Sequence, residues 1–200
     1  MKKGFTLVEV LVAVGLFSIL VGVAWGGFVN ALRTQRGITA MISVQSNANL
    51  ILEQMAREMR TGYLFCHRPG SNTPDGGDGA CASACIIESG GAWQCNNLID
   101  FFNATPQEVQ YRLENGAIKR SVGGSGNFDP VTSDNVDVRY LSFYLQWQTE
   151  GDNWNPRITI SMEVSPSSTY LAPGYNNVLD LQTTVSARVI DCTPGLPTSC

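Results

Sequence analysis

The chain has 200 residues, of which 44% are apolar and only 15% are charged, and its formal net charge is −4. This length accommodates one ordinary domain with a real core and, in addition, a membrane segment. An acidic balance without a basic block or an aromatic-interleaved basic patch argues against a nucleic-acid partner.

The N-terminus combines a short basic start with a long apolar run. The first twelve residues read MKKGFTLVEVLV, and no charge occurs from Val10 to Leu32. The largely apolar stretch from Phe5 to Val29 exceeds the roughly 20 residues that a helix needs to cross a bilayer. Two simple interpretations are a secretory signal peptide with a small-residue site near Ala24 and a plain signal anchor.

Glu9 argues against both interpretations. A charged side chain inside the hydrocarbon costs about 2.5–3.5 kcal/mol, and a segment that served only as an anchor would not be expected to carry it. Cleavage after Gly4 would make Phe5 a new N-terminus, and Glu9 would then lie about one helical turn from a free amine. The amine of a neighbouring chain can neutralise Glu9 when helices pack with a small axial stagger.

The segment KKGFTLVEVLVA, from Lys2 to Ala13, resembles the leader of type IV prepilins and type II secretion pseudopilins. The resemblance implies that a membrane aspartyl prepilin peptidase cuts between Gly4 and Phe5 and N-methylates Phe5. It implies that Glu9 acts in assembly with other pilin or pseudopilin subunits through the N-terminal helix. It also implies residence in the bacterial inner membrane, followed by incorporation into a filament.

The helix is predicted to continue beyond the bilayer and to end near Gly62, which is a plausible C-cap. A helix over 5–61 would be a rod of roughly 85 Å, with a weak point at Gly26-Gly27. An apolar stripe at three- and four-residue spacing predicts a helix face that packs on a sheet. Its members are Met41, Val44, Ala48, Leu52, Met55 and Met59.

All six cysteines follow the apolar run, in turn-rich or terminal sequence. This distribution favours disulfides in an oxidising compartment, which places the C-terminal domain outside the cytosol. We expect Cys192 to pair with Cys200, because prolines between them favour a closed loop. The other four are expected to form two bridges of unknown connectivity. They are Cys66, Cys81, Cys85 and Cys95.

Two metal sites are alternatives within the cysteine-rich segment. Zinc would draw on His67 and the neighbouring cysteines, but no paired CxxC motif is present. Calcium would draw on Asp75 and Asp78, but these carboxylates are too few and the rest of the EF-hand spacing is missing. We therefore expect no metal and no cofactor.

The C-terminal half shows strand patterns. Residues 108–113 alternate, Asn115-Gly116 supplies a turn, and residues 117–121 return, which predicts a hairpin. Four or five antiparallel strands are expected in all, with the later ones at 136–147, 158–164 and 179–189. The predicted fold is α+β and pilin-like, with a long membrane-spanning helix packed on an antiparallel β-sheet. The predicted organisation is leader 1–4, transmembrane and assembly helix 5–29, outer half of the helix 30–62, cysteine-rich loop 63–97 and sheet domain 98–200.

The order of the C-terminal segments is also similar to the minor pseudopilin J group and related minor pilins. The resemblance runs from YRLENGAIKR at 111–120, through a strand ending at Trp147 and the triplet 156–158, to a last strand through Arg188. It implies a low-copy structural subunit at or near the tip of a type IV pilus or a type II secretion pseudopilus. The cysteine-rich segment departs from the pattern of that group.

We predict that the chain is not an enzyme. It has a single histidine, no glycine-rich phosphate loop, no GxSxG and no HExxH. The alternative to a filament subunit is a membrane-tethered extracellular binding protein, an adhesin or receptor, that uses the cysteine-rich loop.

Overall fold

A computed structural model describes most of the chain. The described residues are 4, 6–63, 65–66, 85–87, 92–124, 126–146, 155–167 and 178–188. Within them, one long helix is followed by nine strands in two antiparallel sheets. The predicted α+β, pilin-like layout is confirmed, with two sheets in place of the single one expected.

The helix α1 spans Leu7–Arg60, a length of 54 residues, or about 80 Å at 1.5 Å per residue. It continues without interruption through the glycine pair at 26–27, and Thr61 forms its C-cap. The predicted stop at Gly62 has a packing reason, because a β-carbon there would come within 2.6 Å of the Phe101 ring. Glycine at this position lets the second sheet approach the end of α1 closely.

The first sheet has five strands in the order β1-β2-β7-β8-β9. They are β1 (Cys85–Ile87), β2 (Ala92–Asn96), β7 (Val136–Gln146), β8 (Arg157–Pro166) and β9 (Leu179–Ser186). The second sheet has four strands in the order β3-β4-β5-β6. They are β3 (Leu98–Phe102), β4 (Glu108–Glu114), β5 (Ala117–Val122) and β6 (Asp129–Pro130).

The predicted hairpin is present as β4 and β5, joined by the two-residue turn Asn115-Gly116. Both residues have positive φ, 53° and 74°, as a type I′ turn requires.

The segment 63–97 differs from the expected irregular loop, because β1 and β2 form within it. The two strands pair with Cys85 directly opposite Cys95, and β2 pairs along its whole length with β7. The sequence predicts cysteines that staple a loop, whereas Cys85 and Cys95 are cross-strand partners in a sheet.

The core is one cluster formed by the outer half of α1, the first sheet and buried side chains of the second sheet, among them Phe101 and Ile118. The helix contacts β7, β8 and β9, and the predicted apolar stripe supplies its buried face. The buried helix residues are Val44, Ala48, Ile51, Leu52, Met55 and Met59. They join one cluster with alternate residues of β7 and β8, where Leu141 pairs with Met162, and Phe143 with Ile160.

Candidate functional site

The inner half of α1 leaves its apolar surface uncovered. Between Leu7 and Phe28 the large apolar side chains are 46–76% exposed. By length and composition this helix can cross a membrane, and the most apolar 18-residue window is not buried at all. The outer half of the same helix carries the core stripe, so α1 is divided into a part that packs within the chain and a part that does not.

Two of the three site positions predicted near the N-terminus, Gly4 and Glu9, lie among the described residues. Gly4 is exposed, and a β-carbon at this position would meet nothing within 4 Å. Phe5 lies outside the described residues. Glu9 is exposed in the first helical turn, where a carboxylate interacts favourably with the positive end of the helix dipole.

Thr6 is a residue that the sequence analysis missed. It is the N-cap of α1, and the Glu9 backbone N–H donates a hydrogen bond of 3.4 Å to its side-chain oxygen. The signal was present as Thr6-Leu7-Val8-Glu9, which matches the capping-box spacing S/T-x-x-E/Q. Thr6 therefore fixes the start of the helix between the expected cleavage position and Glu9.

Three cysteine sulfurs form a second cluster, in which Cys66 follows α1 in the chain and Cys85 and Cys95 lie in β1 and β2. Cys85 and Cys95 form a disulfide. The free thiol of Cys66 is buried and lies 3.6 Å from the Cys95 sulfur and 3.8 Å from the Cys85 sulfur.

The remaining cysteines, Cys81, Cys192 and Cys200, lie outside the described residues, as do His67 and the acidic segment 75–79. The pairing of Cys192 with Cys200 and the two bridges among the other four cysteines therefore stay predictions. The sulfurs of Cys66, Cys85 and Cys95 are close enough together to bind one metal ion, but a disulfide between two of them removes two of the three thiolate ligands that zinc would require.

An open groove of about 720 Å³ lies where the core stripe of α1 meets the inner half. It is lined by Leu32, Gln35, Arg36, Thr39, Ala40, Ser43, Ser133, Asp134, Asn135 and Pro166. Arg36 and Asp134 are the titratable side chains of this lining, which holds no nucleophile–base pair of the kind that covalent catalysis uses.

Residues 1–25 match the family described as the prokaryotic N-terminal methylation motif. No curated protein and no solved structure gives a significant match to the chain. The motif implies processing by prepilin peptidase and assembly with other pilins, and it points to a structural subunit. Together with the exposed apolar helix, it supports a type IV pilin or pseudopilin subunit that is anchored in the inner membrane with its C-terminal domain outside.

Proposed function

We propose that this chain is a minor pilin or pseudopilin, a low-copy structural subunit at or near the tip of a type IV pilus or a type II secretion pseudopilus. The observation that carries the proposal is the exposed, apolar surface of the inner half of α1. It follows the leader directly, it is exposed and apolar, and Glu9 is its one charge before Arg33.

The exposed inner half needs a covering in every state of the subunit. Fully burying a large apolar side chain stabilises by roughly 1.5–3 kcal/mol, and fourteen such side chains lie exposed between Leu7 and Phe28. Lipid covers them while the subunit is in the membrane. Helices of neighbouring subunits cover them once it leaves the membrane, so the same surface serves both anchoring and assembly.

Glu9 then sets the axial position of one helix on the next. Apolar helix surfaces specify axial position only weakly, whereas a carboxylate in an apolar environment requires a cation or a donor. The amine of Phe5, freed by cleavage after Gly4 on a neighbouring subunit, supplies that cation. Desolvation offsets most of the attraction, so the pair contributes register more than net stability.

The proposal places the outer domain in an oxidising compartment, with Cys192 bonded to Cys200 and two bridges among the other four cysteines. Free-thiol labelling of unfolded, unreduced protein is expected to find no reactive thiol in the mature chain. Several reactive thiols, or bound zinc, would contradict this part of the proposal.

The test compares Glu9→Gln with the matched control Glu53→Gln on the same helix. Glu53 is exposed in the outer half, where it pairs with Arg57, and surface pairs of this kind contribute about 0–1 kcal/mol. Both variants are expected to insert, to be cleaved and to keep the outer fold. Glu9→Gln is expected to co-purify poorly with partner subunits, and Glu53→Gln at the wild-type level.

Mass spectrometry of the mature N-terminus accompanies the experiment and is expected to find methylated Phe5. Wild-type incorporation of Glu9→Gln would rule out the register role of the charge. A chain that begins after Ala24 or retains Met1 would contradict the whole assignment. A tethered adhesin or receptor needs only the anchor, so in that case Glu9→Gln would leave localisation and binding unchanged.

The low copy number of the proposed minor subunit is tested by a separate measurement. Quantitative mass spectrometry of purified filaments is expected to find far fewer copies of this chain than of the major subunit. A copy number equal to that of the major subunit would contradict the low-copy role while leaving the filament assignment intact.

A further inference from the structure

The groove beside α1 begins just beyond the predicted membrane span. That span ends at Val29, and the helix residues that line the groove run from Leu32 to Ser43. Leu32 lies about 4.5 Å and Arg36 about 10 Å beyond Val29 along the helix, and the headgroup layer of a bilayer is roughly 5–7 Å thick. Helical side chains lean toward the N-terminal end of their helix, here toward the membrane, so the long side chain of Arg36 can extend into that layer. The groove therefore adjoins the phospholipid headgroups on the outer side of the inner membrane.

Hydrogen bonds fix the wall of the groove that faces α1. The Asn135 side-chain oxygen accepts from the Asn47 amide at 3.1 Å and from the Ser133 hydroxyl at 2.8 Å. The Asn135 amide donates to Ser43 Oγ at 2.8 Å, so the segment before β7 is held on the helix. Because Ser43 is the acceptor in this bond, its own hydroxyl hydrogen can donate to an oxygen of a ligand.

Two opposite charges line the groove without neutralising each other. Arg36 and Asp134 are both exposed, and among the described residues neither takes part in an ion pair. Ala40, which is half-buried, and Pro166, which is buried, add apolar surface to the lining. The volume of about 720 Å³ lies within the range of roughly 300–1,000 Å³ that is typical of small-molecule sites. This lining suits a ligand that carries one negative and one positive group on a short apolar frame.

We propose that the groove binds the headgroup of a zwitterionic phospholipid, phosphatidylethanolamine, from the outer leaflet of the inner membrane. Its phosphate binds the Arg36 guanidinium and the Ser43 hydroxyl, its ammonium binds the Asp134 carboxylate, and its acyl chains pass Leu32 into the bilayer. The bound lipid holds the outer domain at a fixed height above the membrane before the subunit enters a filament. The proposal rests on the membrane anchor and is independent of the tip role.

Charge complementarity selects this headgroup over others. An anionic phospholipid or a free phosphate can bind Arg36, but it leaves Asp134 facing a negative ligand. A choline headgroup has no N–H, whereas an ammonium donates charge-assisted hydrogen bonds to a carboxylate. The competing occupant is a second subunit, which the experiment separates from lipid.

The experiment measures the lipids that remain on the full chain. Native mass spectrometry is carried out from detergent micelles that contain equal amounts of phosphatidylethanolamine and phosphatidylglycerol with the same acyl chains. The wild type is expected to retain phosphatidylethanolamine in excess. Arg36→Gln should lower the retention of both lipids about tenfold, the usual effect of losing a charge-assisted hydrogen bond, and Asp134→Asn should abolish the preference between them. Arg33→Gln and Asp180→Asn are the matched controls, since both residues are exposed outside the groove, and they should behave as the wild type.

A second measurement is made in membranes and needs no loss of charge. The photoreactive residue p-benzoylphenylalanine replaces Thr39, which lines the groove, or Ile38, which is 56% exposed on the adjoining helix face. Both positions lie about 14–15 Å beyond Val29, further out than the headgroup layer. A phospholipid adduct is expected at position 39 and not at position 38, and such an adduct distinguishes a lipid headgroup from free phosphate.

Four results would overturn the proposal. They are equal retention of the two lipids by the wild type, an equal loss of lipid in Arg33→Gln and Arg36→Gln, equal lipid adducts at positions 38 and 39, and an adduct at position 39 with another subunit only. The last result would assign the groove to a second subunit. Both measurements report on the anchored subunit before assembly, so their failure leaves the outcome of the Glu9→Gln test unaffected.

Discussion

At Glu58 of α1, two side chains of the second sheet meet a single carboxylate. The Tyr111 hydroxyl donates a 2.9 Å hydrogen bond to it, and Arg120 binds both carboxylate oxygens, at 2.9 and 3.1 Å. Bidentate arginine–carboxylate pairs of this kind are among the stronger polar contacts in proteins. Glu58 thus links α1 to the second sheet through a hydrogen bond and an ion pair.

Burial, followed by the negative charge of Glu58, raises the pKa of Tyr111 above its ordinary value of 10.0. Because the folded state holds the neutral phenol, its stabilising contribution is complete below pH 10 and is lost as the pH rises further. Tyr111→Phe is expected to cost about 1–2 kcal/mol at pH 7. It should also remove a fall of up to about 1.4 kcal/mol per pH unit in the free energy of unfolding above pH 10.

Denaturant unfolding of the full chain in detergent, followed by tryptophan fluorescence at pH 7 to 12, measures both effects. Tyr140→Phe is the control for the loss of a tyrosine hydroxyl, because Tyr140 is 41% exposed and its replacement should stay within about 0.5 kcal/mol at pH 7 as a surface change. Equal alkaline slopes for wild type and Tyr111→Phe would show that the hydroxyl is not the titrating group.

Among the elements, the change from the first sheet to the second takes place at one residue. Asn97 separates β2 from β3, and its φ is 64°. Its N–H donates to the Leu141 carbonyl at 2.9 Å, and its own carbonyl accepts from the Leu113 N–H at 2.8 Å. Asparagine tolerates the left-handed conformation better than most residues do, so a non-glycine residue can connect the two sheets here.

Asn97→Ala should therefore destabilise the outer domain through its backbone, by about 1–2 kcal/mol. Asn97→Gly should cost less, since glycine adopts positive φ readily. The side chain is exposed, so few contacts are lost in either variant. Thermal unfolding of both variants gives the comparison, and a larger loss in Asn97→Gly would mean that the side chain matters more than the conformation.

The two faces of α1 can be compared at adjacent positions. Ile51 is 4% exposed in the core, whereas Leu50 is 63% exposed. Ile51→Ala is expected to cost about 2–5 kcal/mol because it leaves a cavity, and Leu50→Ala should stay within about 0.5 kcal/mol as a surface change. The free energy of unfolding in detergent measures both, and similar losses would contradict the assigned helix face.

The sequence predicted those elements whose signal is local. The α1 stripe and the Asn115-Gly116 turn could be read directly, because helix periodicity and turn chemistry are both written in neighbouring residues. The strand β2 and the division into two sheets were not predicted. Strand β2 depends on pairing with β7, some fifty residues later in the chain. The change of sheet depends on a positive φ at Asn97, and no glycine at this position indicates that conformation in the sequence. The contact of Cys66 with the Cys85–Cys95 disulfide is likewise tertiary, since the spacing of cysteines leaves their connectivity open.

In the whole molecule, the folded core and the expected cleavage position lie at opposite ends of the long helix. The buried stripe begins at Val44, which lies about 55 Å along the helix from Leu7 at 1.5 Å per residue. Surface changes at the inner end therefore have no packed path to the core. The leader and the outer domain are expected to respond to substitution independently.

Gly4→Val tests that independence. The space around Gly4 is open, so a valine side chain meets no steric obstacle and the unfolding midpoint of the outer domain should equal that of the wild type. The resemblance to prepilins implies that the peptidase cuts directly after Gly4, so we expect the mature fraction in membranes to fall sharply and uncleaved chain to accumulate. Ile51→Ala provides the opposite pattern, with normal cleavage and a lowered midpoint. Cleaved and uncleaved chain are separated by the mass of the mature N-terminus, and the midpoint is followed by tryptophan fluorescence. A lowered midpoint in Gly4→Val would show that the leader contributes to folding, because no route through packed side chains connects residue 4 to the described core.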